Sequence, residues 1–361
     1  SDEATDIIGE LDAEAQQAVL DAMEEEEKQD VVELLRYPPE SAGGIMGKEV
    51  LTCRDQDTTG EAVAALRAHD QDELAEMHFV FVLDDRGHLV GRVPLFRLLI
   101  SEPDVPITEL MEHDPLYVEV DLDQEEVAQF MMTHDLISLP VLDHRQRLVG
   151  RITVDDVMDV LEDEATEDIS RMAGVSVEEF GEQSPARVAR SRLPWLLGGL
   201  AGQIGAILVL QHFERSIASM VALSFFIPAI MAMAGNVGIQ TSSVVVRGLA
   251  TGEVDYYHLG RHLLRELVTS LMIGVVIGAA LFLVCGVIVG DLQLAWVLGI
   301  AMLIVIIFAA TVGTGVPLLL HRAGADPAVA TGPFITTAND IFGLLIYLGL
   351  ASVILSAGSA G

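Results

Sequence analysis

Residues 193–361 hold five apolar stretches, at roughly 193–213, 217–248, 263–290, 294–320 and 328–357. Each is long enough to cross a bilayer, since a helix needs about 20 residues to span the hydrocarbon. Charge is partitioned with them. Of the 54 acidic residues, 47 precede residue 193, together with 15 of the 20 Lys and Arg, so residues 1–192 carry −32 and the rest −2. The fold class expected is multidomain: an α-helical N-terminal piece, an α+β middle, and an all-α membrane part of five spans. Part of the acidity reflects the host's usage, because only 2 of the 20 basic residues are lysine. Cys53 and Cys285 fall in different halves and make no disulfide framework. The opening "SDEATDIIGELDAEA" is too acidic for a secretory signal, so the first residues are expected in the cytosol.

Arginines sort the ends of the spans. Arg187, Arg190, Arg192, Arg247, Arg261, Arg265 and Arg322 fall on one side and Arg215 on the other. The positive-inside rule then predicts a cytosolic N-terminus and an external C-terminus; the membrane expected is the plasma (inner) membrane of a prokaryote.

Within residues 1–37 apolar positions recur at helical spacing, with "EEEEK" (24–28) as a solvated turn or face, and "YPPESAGGIM" (37–46) then breaks the helix. An internal repeat follows. "VLDDRGHLVGRV" (82–93) matches "VLDHRQRLVGRI" (141–152), offset by 59, and "AVAALRAHD" (62–70) matches "EVAQFMMTHD" (126–135). Each unit reads helix, strand, turn, strand, helix. His69 and His134 fall at equivalent helix ends and read as structural. The repeat, over about 46–165, resembles a tandem pair of CBS domains, modules that pair, dimerise and sense nucleotides or ions.

From Pro327 onward the only ionisable side chains are Asp340 and Tyr347. A carboxylate near the middle of a spanning helix costs about 2.5–3.5 kcal/mol on insertion scales, so it faces a bundle interior or an aqueous path. Thr336, Thr337 and Asn339 precede it, an oxygen-rich set without Cys or nearby His, which suits magnesium, calcium or manganese. In the second span, Pro228, Gly235, Asn236, Gly238 and Gln240 interrupt the apolar run. One reading is a broken helix whose freed carbonyls face a hydrated path. The other is close helix packing through small residues.

These motifs, with "TVDDVMDVLEDEATEDI", "FIPAIMAMAGNVGIQ", "VVVRGLATG" and "DPAVATGPFITTANDIFGLLIYL", resemble the MgtE family of magnesium channels over nearly the whole chain. Only the last part of that family's N-terminal domain is matched, which implies a truncated or short member. The resemblance implies these domains: 1–45, the end of the helical N domain; 46–108, CBS 1; 109–160, CBS 2; 161–190, an acidic plug helix and linker; 191–361, the pore. It implies a homodimer around one pore, with hydrated magnesium at Asp340 and with Asn339, Thr336, Gly332, Pro228, Ala232, Gly235 and Asn236 lining the path. The family often has Gly where Ala232 stands, a polar residue at Ile239, and in some members Asn at Gly332.

In "DDVMDVLEDEATED" (155–168) carboxylates stack at i, i+3 and i+4, where like charges repel, so counter-cations are expected. The resemblance assigns Asp156, Asp159, Glu164, Glu167 and Asp168 to magnesium sensing, and Asp155 adjoins them. Binding there is expected to close the pore. "GRITVDD" fits the ribose-binding pattern of CBS modules, with Thr153 and Asp156 as contacts for ATP. The first copy has Pro94 and Arg97 at those places and is not expected to bind in that way. The same pair equally reads as a helix cap. No HExxH, Walker or nucleophile-elbow motif is present, so the chain is not expected to be an enzyme, and no nucleic-acid partner is expected. Two other readings stand beside the channel: a coupled Mg2+/Mn2+/Co2+ carrier that titrates Asp340, and a non-conducting magnesium or nucleotide sensor.

Overall fold

The computed structural model describes residues 2–9, 11–67, 77–176, 179, 184–252 and 259–358, and the chain divides into two compact units, Ser1–Glu164 and Ala165–Gly361. His69 lies outside the described residues.

The first unit opens with three short helices, α1 (Asp2–Gly9), α2 (Ala13–Leu20) and α3 (Glu25–Leu34), closed around Ile8, Leu20 and Val31. The glutamate run begins α3 with Glu24 as its N-cap, where the helix dipole favours negative charge. Lys28 reaches back to Asp21 at 3.0 Å.

The repeat then folds twice. The first copy comprises β1 (Thr52–Arg54), α4 (Thr59–Leu66), β2 (Phe79–Leu83), β3 (Leu89–Pro94), α5 (Leu95–Ile100), α6 (Ile107–Leu110) and β4 (Glu112–His113). The second comprises β5 (Val118–Glu119), α7 (Gln124–Thr133), β6 (Ser138–Leu142), β7 (Leu148–Thr153) and α8 (Val154–Ala173). The sheet orders are β1-β2-β3-β4 and β5-β6-β7. In both, the first strand pairs parallel to the second and the second pairs antiparallel to the third. The 59-residue offset carries through to the pairing. Phe79 faces Pro94 as Ser138 faces Thr153, and each ladder shifts register at its last step, Val82/Leu83 and Val141/Leu142.

Both hairpin turns are held by an aspartate. Asp84 accepts from the backbone N–H of Arg86 and His88, each at 2.8 Å, and Asp143 accepts from those of Arg145 and Arg147 at 2.8 and 2.9 Å. The His88 amide is the largest cause holding the Asp84 carboxyl below its usual range. Gly87 takes φ +83° at the turn, and Gln146 accepts the same left-handed conformation at φ +61°.

The glycines of the two "LVGR" motifs have a common reason, which is the close approach of an edge segment. A Cβ on Gly91 would lie 2.8 Å from Met111 Sδ and 3.0 Å from the Glu112 carbonyl, the start of β4. A Cβ on Gly150 would lie 2.7 Å from the Gly47 carbonyl. The segment against the second copy therefore comes from before the first. Ala42 and Gly43 donate to the carbonyls of Leu122 and Val120 at 2.7 and 2.9 Å, and Gly47 and Arg151 exchange two backbone bonds at 2.9 Å each.

The second unit holds α9 (Pro185–His212), α10 (Glu214–Ser219), α11 (Ala222–Ala250), α12 (Leu259–Ile288), α13 (Leu292–Arg322), a 3-10 turn (Ala328–Ala330) and α14 (Pro333–Gly358). All but α10 and the 3-10 turn are long and apolar enough to span a bilayer, giving the five expected crossings. Helix α13 is the most enclosed, burying Leu298, Ala301, Met302, Val305, Ile306 and Ala309 against α11, α12 and α14. Helix α9 packs on α14.

The expectation of a broken second span is corrected. Helix α11 is continuous from Ala222 to Ala250, with Pro228 inside it. Proline removes one donor, the one that would reach Ser224, a loss that spanning helices tolerate through local adjustment. The glycines serve packing. A Cβ on Gly238 would lie 2.1 Å from Asn339 Nδ2, and one on Gly313 would lie 2.6 Å from the Gly238 carbonyl.

Candidate metal centre

Helix α14 carries Asp340 and Asn339 inward, 6 % and 0 % exposed. Two neighbours explain how such groups are held in an apolar bundle. Asn339 Nδ2 donates to the Ala234 carbonyl of α11 at 3.2 Å, through the gap that Gly238 leaves. Among the described residues its Oδ1, which is buried, has no hydrogen-bond partner. Asp340 Oδ2 accepts from Gln203 Nε2 of α9 at 2.6 Å. Among the described residues that amide is its hydrogen-bond partner, and no basic side chain pairs with it.

The remaining residues expected on the path are spread around this pair. Thr336, one turn before Asp340, is half-buried and donates to the Gly332 carbonyl at 3.2 Å. Pro228, Ala232 and Asn236 recur every four residues along α11 and are all exposed, whereas Gly235 is buried. Together they form a stripe that the single chain leaves uncovered. At the far end of α14, Tyr347 donates to the Leu223 carbonyl at 2.9 Å, tying that helix to the start of α11.

Gln203 was not singled out by the sequence. It is a polar residue inside the first span, set in "AGQIG" between Gly202 and Gly205. Those glycines admit α14. A Cβ at Gly202 would lie 2.0 Å from Thr337 Cγ2, and one at Gly205 would lie 2.8 Å from Ile341 Cδ1. A polar residue between small ones in an apolar span was the available signal.

The acids of α8 behave differently from Asp340. Asp155 and Asp159 are exposed, and Asp156, Glu164, Glu167 and Asp168 are half-buried. Asp156 Oδ2 accepts from the Thr153 amide at 2.7 Å and its hydroxyl at 2.8 Å, which caps the helix. Glu164 accepts from Gln124 Nε2 at 2.6 Å. Arg171 pairs with both Glu167 and Asp326, the latter just before the 3-10 turn. Beside it, the Met172 carbonyl would lie 2.8 Å from a Cβ on Gly332. The end of α8 thus rests on the connection between α13 and α14. Among the described residues no three His, Cys, Asp or Glu side chains converge as a metal site. His134 bonds the Phe130 carbonyl at 2.9 Å and stacks on its ring, as a structural histidine would.

Three family descriptions match in order along the chain: the MgtE intracellular N domain at 1–40, CBS domains at 42–101 and 107–163, and MgtE, divalent cation transporter, at 227–350. The magnesium transporter MgtE of Enterococcus faecalis is 38 % identical over 91 % of this chain and 72 % of its own length. The chain belongs to the MgtE family. The magnesium transporter MgtE of Thermus thermophilus is 35 % identical over 94 % of this chain and 76 % of its own. A crystal structure of the soluble part of a magnesium transporter is 35 % identical, covering 45 % of this chain and 64 % of that one, with a TM-score of 0.43. MgtE membership makes the chain a multi-pass membrane transporter and not an enzyme.

Proposed function

We propose that this MgtE chain is a magnesium channel in which two protomers bring Asp340 to one central path. The observation that carries the reading is Asp340 itself, a carboxylate inside a spanning helix met by a neutral amide and no base. Ionisable groups placed inside a membrane in this way mark ion pathways, and a carboxylate there is a ligand for a divalent cation. Magnesium gives up its waters reluctantly and is commonly held by one or two carboxylates through them. The uncovered stripe Pro228, Ala232 and Asn236 supports a second copy facing it, with Thr336 and Asn339 on the adjoining helix, Gly332 just before it and Gly235 behind the stripe. The relatives named magnesium transporters support the choice of ion. The arginine distribution supports a cytosolic N-terminus and an external C-terminus in the cell membrane.

The regulatory reading is that cytosolic magnesium closes the path through the α8 acids. Asp155, Asp156, Asp159, Glu164, Glu167 and Asp168 lie along one 20-residue helix whose last turn sits on the α13–α14 connection. A cation that binds these acids better in the closed arrangement shifts the equilibrium towards it. ATP is a second ligand of this reading, at Thr153 and Asp156, whose oxygens lie 2.8 Å apart at the start of the same helix. Residues 1–45, 46–108, 109–160, 161–190 and 191–361 are the corresponding domains.

Magnesium uptake into liposomes carrying the full chain tests the site: Asp340→Ala is expected to abolish it, and equal flux in both proteins would sink the assignment. Single-channel current separates a channel from a coupled carrier, and no uptake by the wild type would favour a sensor. Protease cleavage within 155–190 is expected to fall in millimolar magnesium, and unchanged cleavage would refute the gating scheme.

A further inference from the structure

We propose that Gln203 is the positioning residue of the Asp340 carboxylate and sets how tightly that carboxylate holds a divalent cation. The inference rests on the reading of Asp340 as the ion site and adds a group from a third helix to it. The Gln203 amide nitrogen donates to Oδ2 at 2.6 Å. It fixes the rotation of the carboxylate and engages Oδ2, which leaves Oδ1 as the oxygen offered to an ion or its water.

The reach of Gln203 is built into the packing. Gly202 and Gly205 on either side let α9 close on α14 at Thr337 and Ile341, where any side chain at Gly202 would meet the threonine methyl. Gln203 is therefore delivered to the carboxylate by two residues whose only contribution is lack of bulk. The chemistry of the partner matters as much as its place. Lysine or arginine there would cancel the charge a cation needs. An apolar side chain would leave the carboxylate free to turn. A neutral donor offsets part of the cost of burial and brings no positive charge to the site. Groups that orient a metal-binding side chain in this way change metal affinity by about 10- to 100-fold when removed.

The test is initial magnesium uptake by full-length protein in liposomes, measured against external magnesium to give a half-saturating concentration and a maximal rate. Gln203→Met keeps length and removes the donor. It is expected to raise the half-saturating concentration about tenfold, at the low end of that range, and to keep the maximal rate within about twofold. Gln203→Leu removes the donor with a different apolar shape, and is expected to raise the half-saturating concentration to a similar degree. A residue that merely ties two helices together would lower the unfolding temperature in both variants without moving the half-saturating concentration. If Gln203→Met has the wild-type half-saturating concentration while Asp340→Ala loses uptake, the inference is overturned and the ion site stands. If Asp340→Ala keeps uptake, the site itself is wrong. Should Gln203→Met fail to fold, Gln203→Leu decides: an unchanged or lowered half-saturating concentration overturns the role.

Discussion

Gly238 is where the packing around the carboxylate can be challenged with a single methyl group. In Gly238→Ala the new Cβ would lie 2.1 Å from Asn339 Nδ2 and 2.7 Å from Ile335 Cγ2. Both neighbours sit on α14 and neither has open space behind it, since Asn339 and Ile335 are 0 % and 1 % exposed. Forcing one methyl into a filled interface costs about 1–3 kcal/mol. The displaced amide also gives up its bond to the Ala234 carbonyl, worth about 0.6 and at most about 1.7 kcal/mol between membrane helices. Against this, alanine gains up to about 1 kcal/mol over glycine in a helix. The net is a loss of about 1–4 kcal/mol. At about 2–4 °C per kcal/mol for a unit of this size, the unfolding midpoint of the full chain in detergent falls by roughly 2–16 °C. Gly286→Ala is the control of opposite sign. Nothing lies within 4 Å of its Cβ, so only the propensity gain remains. Because Asp340 follows Asn339, magnesium uptake by Gly238→Ala should also fall. A Gly238→Ala protein that melts at or above the wild type, alongside Gly286→Ala, would refute the close approach of α11 and α14.

Two further outcomes concern the first unit. Gly150→Ala meets a backbone carbonyl at 2.7 Å, whereas Gly91→Ala first meets the Met111 sulfur at 2.8 Å, which can swing aside. Thermal unfolding should therefore show a loss of about 1–3 kcal/mol for Gly150→Ala and a smaller one for Gly91→Ala; the reverse order would contradict the pairing of Gly47 with Arg151. Burial pushes the Cys53 thiol up to about 12, so it stays protonated in the folded chain at pH 8. Maleimide should label it in urea far faster than in buffer, and the stability this thiol contributes should decline as pH rises past its unfolded value towards 12. Rapid labelling of the folded protein would show that the site is open.

The sequence made the five crossings and the tandem repeat legible because both are written locally. Apolar length marks a crossing, and the 59-residue offset reappears in the strand register itself. Helix ends were less legible. Helix α9 begins at Pro185, ahead of the apolar run, because hydropathy marks where lipid starts and the arginine-rich "RVARSR" continues the helix outside it. Pro228 and its glycines suggested a break, yet one missing donor does not end a helix that its neighbours enclose. Asp340 was legible as an anomaly, whereas its partner was not. Gln203 lies 137 residues away, and nothing local to either residue states the pairing. The acids of α8 were legible as a like-charged helix, but the protein donors that meet Asp156, Glu164 and Glu167 come from Thr153, Gln124 and Arg171.

The segment 41–47 has a consequence for how the first unit is made. It supplies the edge that completes the second repeat, about a hundred residues downstream, while the edge of the first repeat comes from Glu112 and His113 at the entrance to the second. The first module's edge thus follows it directly in the chain, whereas the second module's comes from ahead of both. A chain emerging in order exposes residues 41–47 early and holds them in waiting until Arg151 arrives. Removing the N-terminal fifty residues would leave the first repeat's ladder intact and strip the second of its backbone bonds at Val120, Leu122 and Arg151. Injury at one end would then be felt at the start of α8, the helix that carries the acidic residues.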